Sequence, residues 1–261
     1  MRFAKKSLGQ NFLKDKNIIK KILNLTEFTK RNIIEIGPGT GSLTEELLKQ
    51  KLKSLILIEK DAKLFESLEK KYKKNKKIKI YCADILQFDL EKIVPKNSII
   101  IGNLPYNISS QILVKILRFR KWPPNFKDVI FMFQKELGEK IIGKFLTPFY
   151  GRISILSNFR LDILNRFIVS PNCFTPKPKV ESMVIHFKPK KNINFKIKKI
   201  YNLEKITNIF FSNKRKMINK SLKKILNKKK IGEIPQLNSN LRPEEVSPEF
   251  FYKIAELYEK M

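Results

Sequence analysis

Asn32-Ile33-Ile34-Glu35-Ile36-Gly37-Pro38-Gly39-Thr40-Gly41 is the stretch whose reading decides the fold. A short apolar, β-branched run reads as a buried strand, and glycines at alternate positions close it before a helix that begins near Ser42. In open α/β sheets that edge, the carboxyl end of a strand, is where ligands sit. Outward from it, strand-like runs recur at Ser54–Ile58, Ile78–Cys82, Ser98–Ile101, Val129–Phe133, Leu161–Val169 and Met183–Phe187. Helical spacing of apolar residues falls between them at Leu43–Leu48, Ala62–Tyr72 and Ile108–Leu117. Alternation of this kind predicts an α/β, Rossmann-like, doubly wound sheet of seven mostly parallel strands. No long helix separates the last two strand candidates, so they are expected to pair antiparallel at one edge. After Lys188-Pro189-Lys190-Lys191 the strand pattern stops, and Asn202–Phe211, Lys216–Leu226 and Pro248–Glu259 read as helices. Ser247-Pro248 supplies an N-cap followed by proline at the first helical position. The expectation is an α/β domain over 1–189 and a small helical domain over 190–261.

The 261 residues suffice for a full α/β core, and their 42% apolar content contains no run approaching the ~18 residues of a membrane span. Met1-Arg2-Phe3-Ala4 does not open a secretory signal, so a cytoplasmic protein is expected. Cys82 and Cys173 lack metal spacing and read as reduced thiols, and His186, the sole histidine, lies in an alternating strand run. A formal charge of +31 implies a polyanionic partner, because neutralising phosphates releases counterions. Part of that charge follows from a composition crowded with Lys, Ile, Asn and Phe. Lys70–Lys77 reads as a solvated helix end.

A pyrophosphate-binding turn normally reads G-x-G-x-x-G, whereas Gly37, Gly39 and Gly41 give G-x-G-x-G. This spacing suits S-adenosylmethionine, whose methionyl group needs backbone contacts more than a phosphate cradle. Glu59 ends the second strand 20 residues beyond Gly39, where an acid accepts hydrogen bonds from ribose hydroxyls. Asp84 ends the third strand, in position to accept from the amino group of the cofactor's adenine. Taken singly, each acid equally describes an ordinary surface carboxylate. Gly37, Glu59, Asp84 and Asn103 nevertheless fall at four successive strand ends, which forms one rim.

Ile101-Gly102-Asn103-Leu104-Pro105-Tyr106-Asn107-Ile108-Ser109 follows the fourth strand, with Gly102 expected to let the chain turn sharply. An exocyclic amine on adenine or cytosine is a poor nucleophile, since its lone pair is delocalised into the ring. The Asn103 side-chain oxygen and the Leu104 carbonyl can each accept one amine hydrogen and so localise that pair. Tyr106 can stack on the base, a contact worth roughly 1–3 kcal/mol, and Pro105 stiffens the turn. The tetrapeptide alone equally describes a proline turn with a surface tyrosine.

Two more segments, Ser7-Leu8-Gly9-Gln10-Asn11-Phe12-Leu13 and Cys173-Phe174-Thr175-Pro176-Lys177-Pro178-Lys179-Val180-Glu181-Ser182, complete a resemblance to the ribosomal RNA adenine N6-dimethyltransferases. Asn-Leu-Pro-Tyr-Asn-Ile-Ser resembles the small-subunit, kasugamycin-sensitivity branch. The likeness runs from about Ser7 to Tyr258 and includes Tyr150-Gly151-Arg152-Ile153-Ser154 and Leu241-Arg242-Pro243-Glu244. It implies an S-adenosylmethionine-dependent methyltransferase domain with a helical RNA-binding domain, no metal, and a cytoplasmic monomer. The implied reaction dimethylates two adjacent adenosines in the 3′-terminal hairpin loop of 16S ribosomal RNA, during small-subunit biogenesis. Carried onto this chain, the cofactor contacts are Asn11, Leu13, Gly37, Glu59, Asp84 and Asn103. The catalytic set is Asn103, Leu104, Tyr106 and Phe174, with the Tyr106 and Phe174 rings sandwiching the target adenine and Pro176 and Pro178 holding the Phe174 loop extended. Judged by residue type alone, Phe174 is a core residue. One departure stands out: Asn213-Lys214-Arg215-Lys216-Met217 carries a single arginine where the family commonly has a pair, which implies fewer bidentate phosphate contacts. A 23S ribosomal RNA methyltransferase of the macrolide-resistance type, a DNA adenine methyltransferase, and a noncatalytic assembly factor on the same fold are the alternatives.

Overall fold

The computed structural model describes residues 9–234 and 238–260. Ser7 and Leu8 of the first motif, and the Met1–Ala4 start, lie outside the described residues. In chain order the elements are β1 (Phe12–Leu13), α1 (Lys16–Leu23), β2 (Asn32–Ile36), α2 (Ser42–Leu48), β3 (Ser54–Glu59), α3 (Ala62–Tyr72), β4 (Ile78–Cys82), α4 (Leu90–Ile93), β5 (Ser98–Asn103) and α5 (Ser109–Leu117). There follow β6 (Phe126–Gln134), α6 (Lys135–Ile141), α7 (Arg152–Arg160), β7 (Leu161–Val169), β8 (Phe174–Thr175), β9 (Ser182–Pro189), α8 (Ile200–Phe211), α9 (Asn219–Ile225), α10 (Lys228–Gly232) and α11 (Pro248–Tyr258). The seven-stranded sheet has the order β4-β3-β2-β5-β6-β9-β7. Pairings from β4 across to β6 are parallel, and β9 returns antiparallel along β6. The α/β expectation therefore holds, and β7 and β9, the last two strand candidates, are neighbours at one edge of the sheet.

Parallel strands buried on both faces need apolar side chains in succession. Ile33, Ile34, Ile36, Ile99, Ile100 and Ile101 meet that need and are all buried. The order of the sheet reverses between β2 and β5, since β3 lies on one side of β2 and β5 on the other. This switch point opens a crevice at the strands' carboxyl ends. Asp15 caps α1, its carboxylate accepting from Asn17 N and Ile18 N at 2.8 and 3.1 Å. On the sheet, buried Asp128 holds His186 Nε2 at 2.8 Å, which gives the sole histidine a structural partner.

Gly102 has a role other than the sharp turn expected of it. It lies within β5, and a Cβ there would stand 2.6 Å from Ile36 O and 2.8 Å from Leu104 Cδ2. Close approach of two strands, not a left-handed backbone, requires the glycine.

The chain divides into two compact units, one running up to Gly138 together with Asp162–Pro189, the other comprising Glu139–Leu161 and the chain from Lys190 onward. The sequence places one boundary after residue 189, whereas the polypeptide enters the second unit once earlier. The reason lies in α7, which packs on α8 and α11 of the helical unit. Two buried tyrosine hydroxyls join these pieces: Tyr150 donates to Val246 O at 2.9 Å and Tyr252 to Ile155 O at 3.0 Å. Tyr150-Gly151-Arg152-Ile153-Ser154 opens α7, where Ser154 Oγ accepts from Gly151 N at 3.0 Å. Among the described residues, no helix is long and apolar enough to cross a membrane.

Candidate active site

The glycine turn after β2 takes the form its spacing predicts. Gly37, Gly39 and Gly41 have φ of +68°, +58° and +85°, a left-handed region that side chains rarely adopt. A Cβ on Gly39 would stand 2.8 Å from the Phe12 ring, so the segment around β1 lies directly against the turn. Replacing Gly39 with Ala should therefore strain the backbone and displace Phe12 together. Strain of roughly 1–3 kcal/mol, transmitted to the turn, predicts about tenfold weaker S-adenosylmethionine binding by calorimetry. An unchanged affinity would disconnect this turn from the ligand.

Around that turn a cleft is lined by Asn11, Leu13, Gly37, Glu59, Asp84, Asn103, Leu104 and Tyr106, which brings together every sequence-expected site residue except Phe174. Glu59 is 5% exposed, which removes the surface-carboxylate reading. Its Oε2 accepts from Gly39 N at 3.0 Å and its Oε1 from Asp61 N at 2.9 Å, so it braces the glycine turn. Each oxygen keeps a lone pair for a further donor. Burial pushes the Glu59 carboxyl up from its ordinary range. Asp84 behaves oppositely. Its hydrogen bond with Lys60 Nζ, at 2.8 Å, holds its carboxyl below the usual range, and Oδ1 accepts from Leu86 N at 2.9 Å.

Asn103 ends β5, and its Nδ2 donates to the Asn11 carbonyl at 2.8 Å. That bond assigns the amide's donor side to the chain and leaves Oδ1 as the side chain's acceptor. Leu104 buries its side chain in the core, as a residue used for its carbonyl can. Tyr106 is half-buried, and its Oη shares a 2.6 Å hydrogen bond with Ser182 Oγ. Burial raises its phenol above the ordinary range.

Phe174 is not brought to the cleft. Its side chain is 1% exposed and belongs to the core cluster with Leu13 and Val169. β8 pairs antiparallel with β1, placing Phe174 opposite Leu13 and Thr175 opposite Phe12. A ring so enclosed offers no free face to a base, so the two-ring sandwich is absent from this conformation. Its packing instead supports the short strand that carries Asn11 to Asn103.

Glu35 was not singled out by the sequence, yet it lines the cleft. At 2% exposed, its Oε2 accepts from Thr44 Oγ1 at 2.7 Å. Burial foremost, with the Glu59 charge adding, raises its carboxyl to about 7. An acid within an otherwise apolar strand, two residues before the first glycine, was the only available signal.

The cleft thus collects Glu35, Glu59 and Asp84 against one cation, Lys60, which is committed to Asp84, in a chain of formal charge +31. A phosphate would meet repulsion here. A cationic sulfonium and ammonium with a hydroxyl-bearing ribose fit the charge and the acceptors. Among the described residues no cluster of His, Cys, Asp and Glu is arranged to hold a metal ion. Cys82 and Cys173 are free thiols.

Comparison with known proteins agrees with this geometry. The family model for ribosomal RNA adenine dimethylase matches residues 1–260. A ribosomal RNA small subunit methyltransferase A from Pelagibacter ubique is 42% identical, over 99% of this chain and 98% of its own. One from Allorhizobium ampelinum is 37% identical, over 97% and 92%. Among solved structures, a dimethyladenosine transferase from Plasmodium falciparum aligns with a TM-score of 0.74 at 24% identity, covering 93% of this chain and 95% of that one. The 23S rRNA methyltransferase ErmE aligns at 0.68 and 22% identity, covering 95% and 100%; at these identities the two structures speak for the fold. Fold, cleft and sequence relatives together place the chain in the ribosomal RNA adenine dimethylase family, whose methyl donor is S-adenosylmethionine.

Proposed function

We propose that this enzyme transfers methyl groups from S-adenosylmethionine to the N6 amines of two adjacent adenosines in the 3′-terminal hairpin loop of 16S ribosomal RNA, as a step in small-subunit biogenesis. The observation that carries the proposal is the Asn103–Tyr106 turn at the end of β5, in one cleft with the glycine turn, Glu59 and Asp84. Relatives at 37–42% identity bear the small-subunit name, which favours that RNA over the large-subunit one.

S-Adenosylmethionine supplies an electrophilic methyl group, so the protein's task is to orient and polarise the amine. Asn103 Oδ1 and the Leu104 carbonyl accept its two hydrogens, and Tyr106 stacks on the base. Asn11, Leu13, Gly37, Glu59, Asp84 and Asn103 hold the cofactor. Orientation of the two reactants supplies much of the rate, and no strong base is needed. His186 is unsuited to proton transfer at this site, since it is buried against Asp128 away from the lining residues. Extruding an adenine from a loop requires less unstacking than from a duplex.

The helical unit, with Lys214, Arg215 and Lys216 exposed before α9, serves as the RNA-binding domain, working as part of a cytoplasmic monomer. The test is a comparison of methyl acceptors. Undermethylated small subunits should accept label, and large-subunit RNA and duplex DNA should not. Preferential labelling of large-subunit RNA would transfer the assignment to the macrolide-resistance type.

A further inference from the structure

The Cys173–Ser182 segment touches a cleft residue, Tyr106, at its far end rather than through Phe174. Ser182 is wholly buried at the start of β9, where pairing with β6 sets it opposite Gln134. Its Oγ lies 2.6 Å from Tyr106 Oη. Tyr106, by contrast, stands on the turn between β5 and α5, outside regular structure, where a side chain otherwise retains rotamer freedom. The phenol oxygen lies on the axis of χ2 rotation, so anchoring it fixes where the ring axis points. The preference of a phenol O–H for the ring plane then biases the ring's pitch. One serine on a rigid strand thus sets two torsions of a residue on a turn.

We propose that Ser182 is a positioning residue for methyl transfer, which holds the Tyr106 ring at the pitch required to stack on the target adenine. The inference rests on the reading of Tyr106 as the stacking ring. Substrate affinity is spread over many phosphate contacts, whereas ring pitch matters when the amine must align with the methyl group. Loss of the hydrogen bond should therefore act on kcat and spare KM for RNA.

Four variants test this, assayed on undermethylated small subunits with saturating labelled S-adenosylmethionine: Ser182→Ala, Tyr106→Phe, the double variant and Tyr106→Ala. Ser182→Ala and Tyr106→Phe should each lower kcat roughly tenfold, with KM within about twofold, as expected for one buried hydrogen bond. The double variant should be no worse than either single one, because the two changes delete the same interaction. Wild-type kcat in Ser182→Ala, or additive losses in the double variant, would overturn the proposal. If Ser182→Ala does not fold, Tyr106→Phe carries the test, and wild-type kcat there overturns it. Tyr106→Ala separates the two levels: lost transfer upholds the stacking role whatever Ser182 does, and retained transfer removes that role and the proposal with it.

Discussion

Asn103→Ala should lower kcat for methyl transfer by roughly 10²–10³-fold, the loss typical when one preorganised polar partner of a reacting group is removed. The expectation follows from how the amide is held. Its Nδ2 is committed to the Asn11 carbonyl, so Oδ1 is presented without reorganisation. On the proposed mechanism alanine removes the acceptor that would localise the amine's lone pair, and it also frees the Asn11 segment from β5. Cofactor affinity should consequently fall too, by a smaller factor. Single-turnover assays at saturating cofactor separate the two effects, and a variant retaining more than about a tenth of the wild-type rate would deny Asn103 the role of amine acceptor.

Glu35→Gln should stabilise the cofactor-free protein at alkaline pH, which reverses the usual result of changing a buried residue. The Glu35 carboxyl lies at about 7 in the folded chain, against an ordinary value of 4.5, chiefly through burial. Below pH 4.5 it is protonated whether the chain is folded or unfolded, and its titration contributes no penalty. Between about 4.5 and 7 the unfolded chain releases the proton while the folded chain retains it, so stability falls as pH rises. Above 7 the charge must be buried, and the accumulated penalty is about 3 kcal/mol. Glutamine keeps a polar partner for Thr44 without titrating. Denaturant unfolding of both proteins at pH 5 and pH 8 should show the variant's advantage growing by about 2–3 kcal/mol across that interval. Parallel pH profiles would mean that Glu35 is not the proton-linked group.

Most of the sheet was legible in the residues because its strands are buried runs of isoleucine, leucine and valine broken by turns. β2 and β4 begin and end where their apolar runs do, and β5 extends through Gly102 and Asn103. Elements that escaped did so for physical reasons. α7 buries Ser154, Ser157 and Arg160 along with its apolar side chains, so no amphipathic stripe marks it. β1 and β8 are two residues each, too short for any alternation. α1 was readable in principle, with Ile18, Ile19, Ile22 and Leu23 on one face behind the Asp15 cap.

The rim of site residues was legible for a different reason: a parallel sheet aligns its strand ends, so residues that close successive strands become neighbours. Depth was not legible. Glu59 and Phe174 both turned on burial, the one read as equally at home on the surface, the other placed by resemblance in the cleft. Glu59 lies inside as a brace for the glycine turn, and Phe174 lies in the core beneath β1. Ser182 closes a motif that is exposed from Pro176 to Glu181 except at Pro178, and only its contact with Tyr106 reveals a link to the cleft.

Mass spectrometry of 16S ribosomal RNA, after incubating undermethylated small subunits with the purified protein and labelled S-adenosylmethionine, tests the central claim most directly. Two neighbouring adenosines in the 3′-terminal loop, each bearing two labelled methyl groups on N6, is the predicted result. Unmodified adenosines at that loop, from protein that demonstrably binds the cofactor, would contradict it.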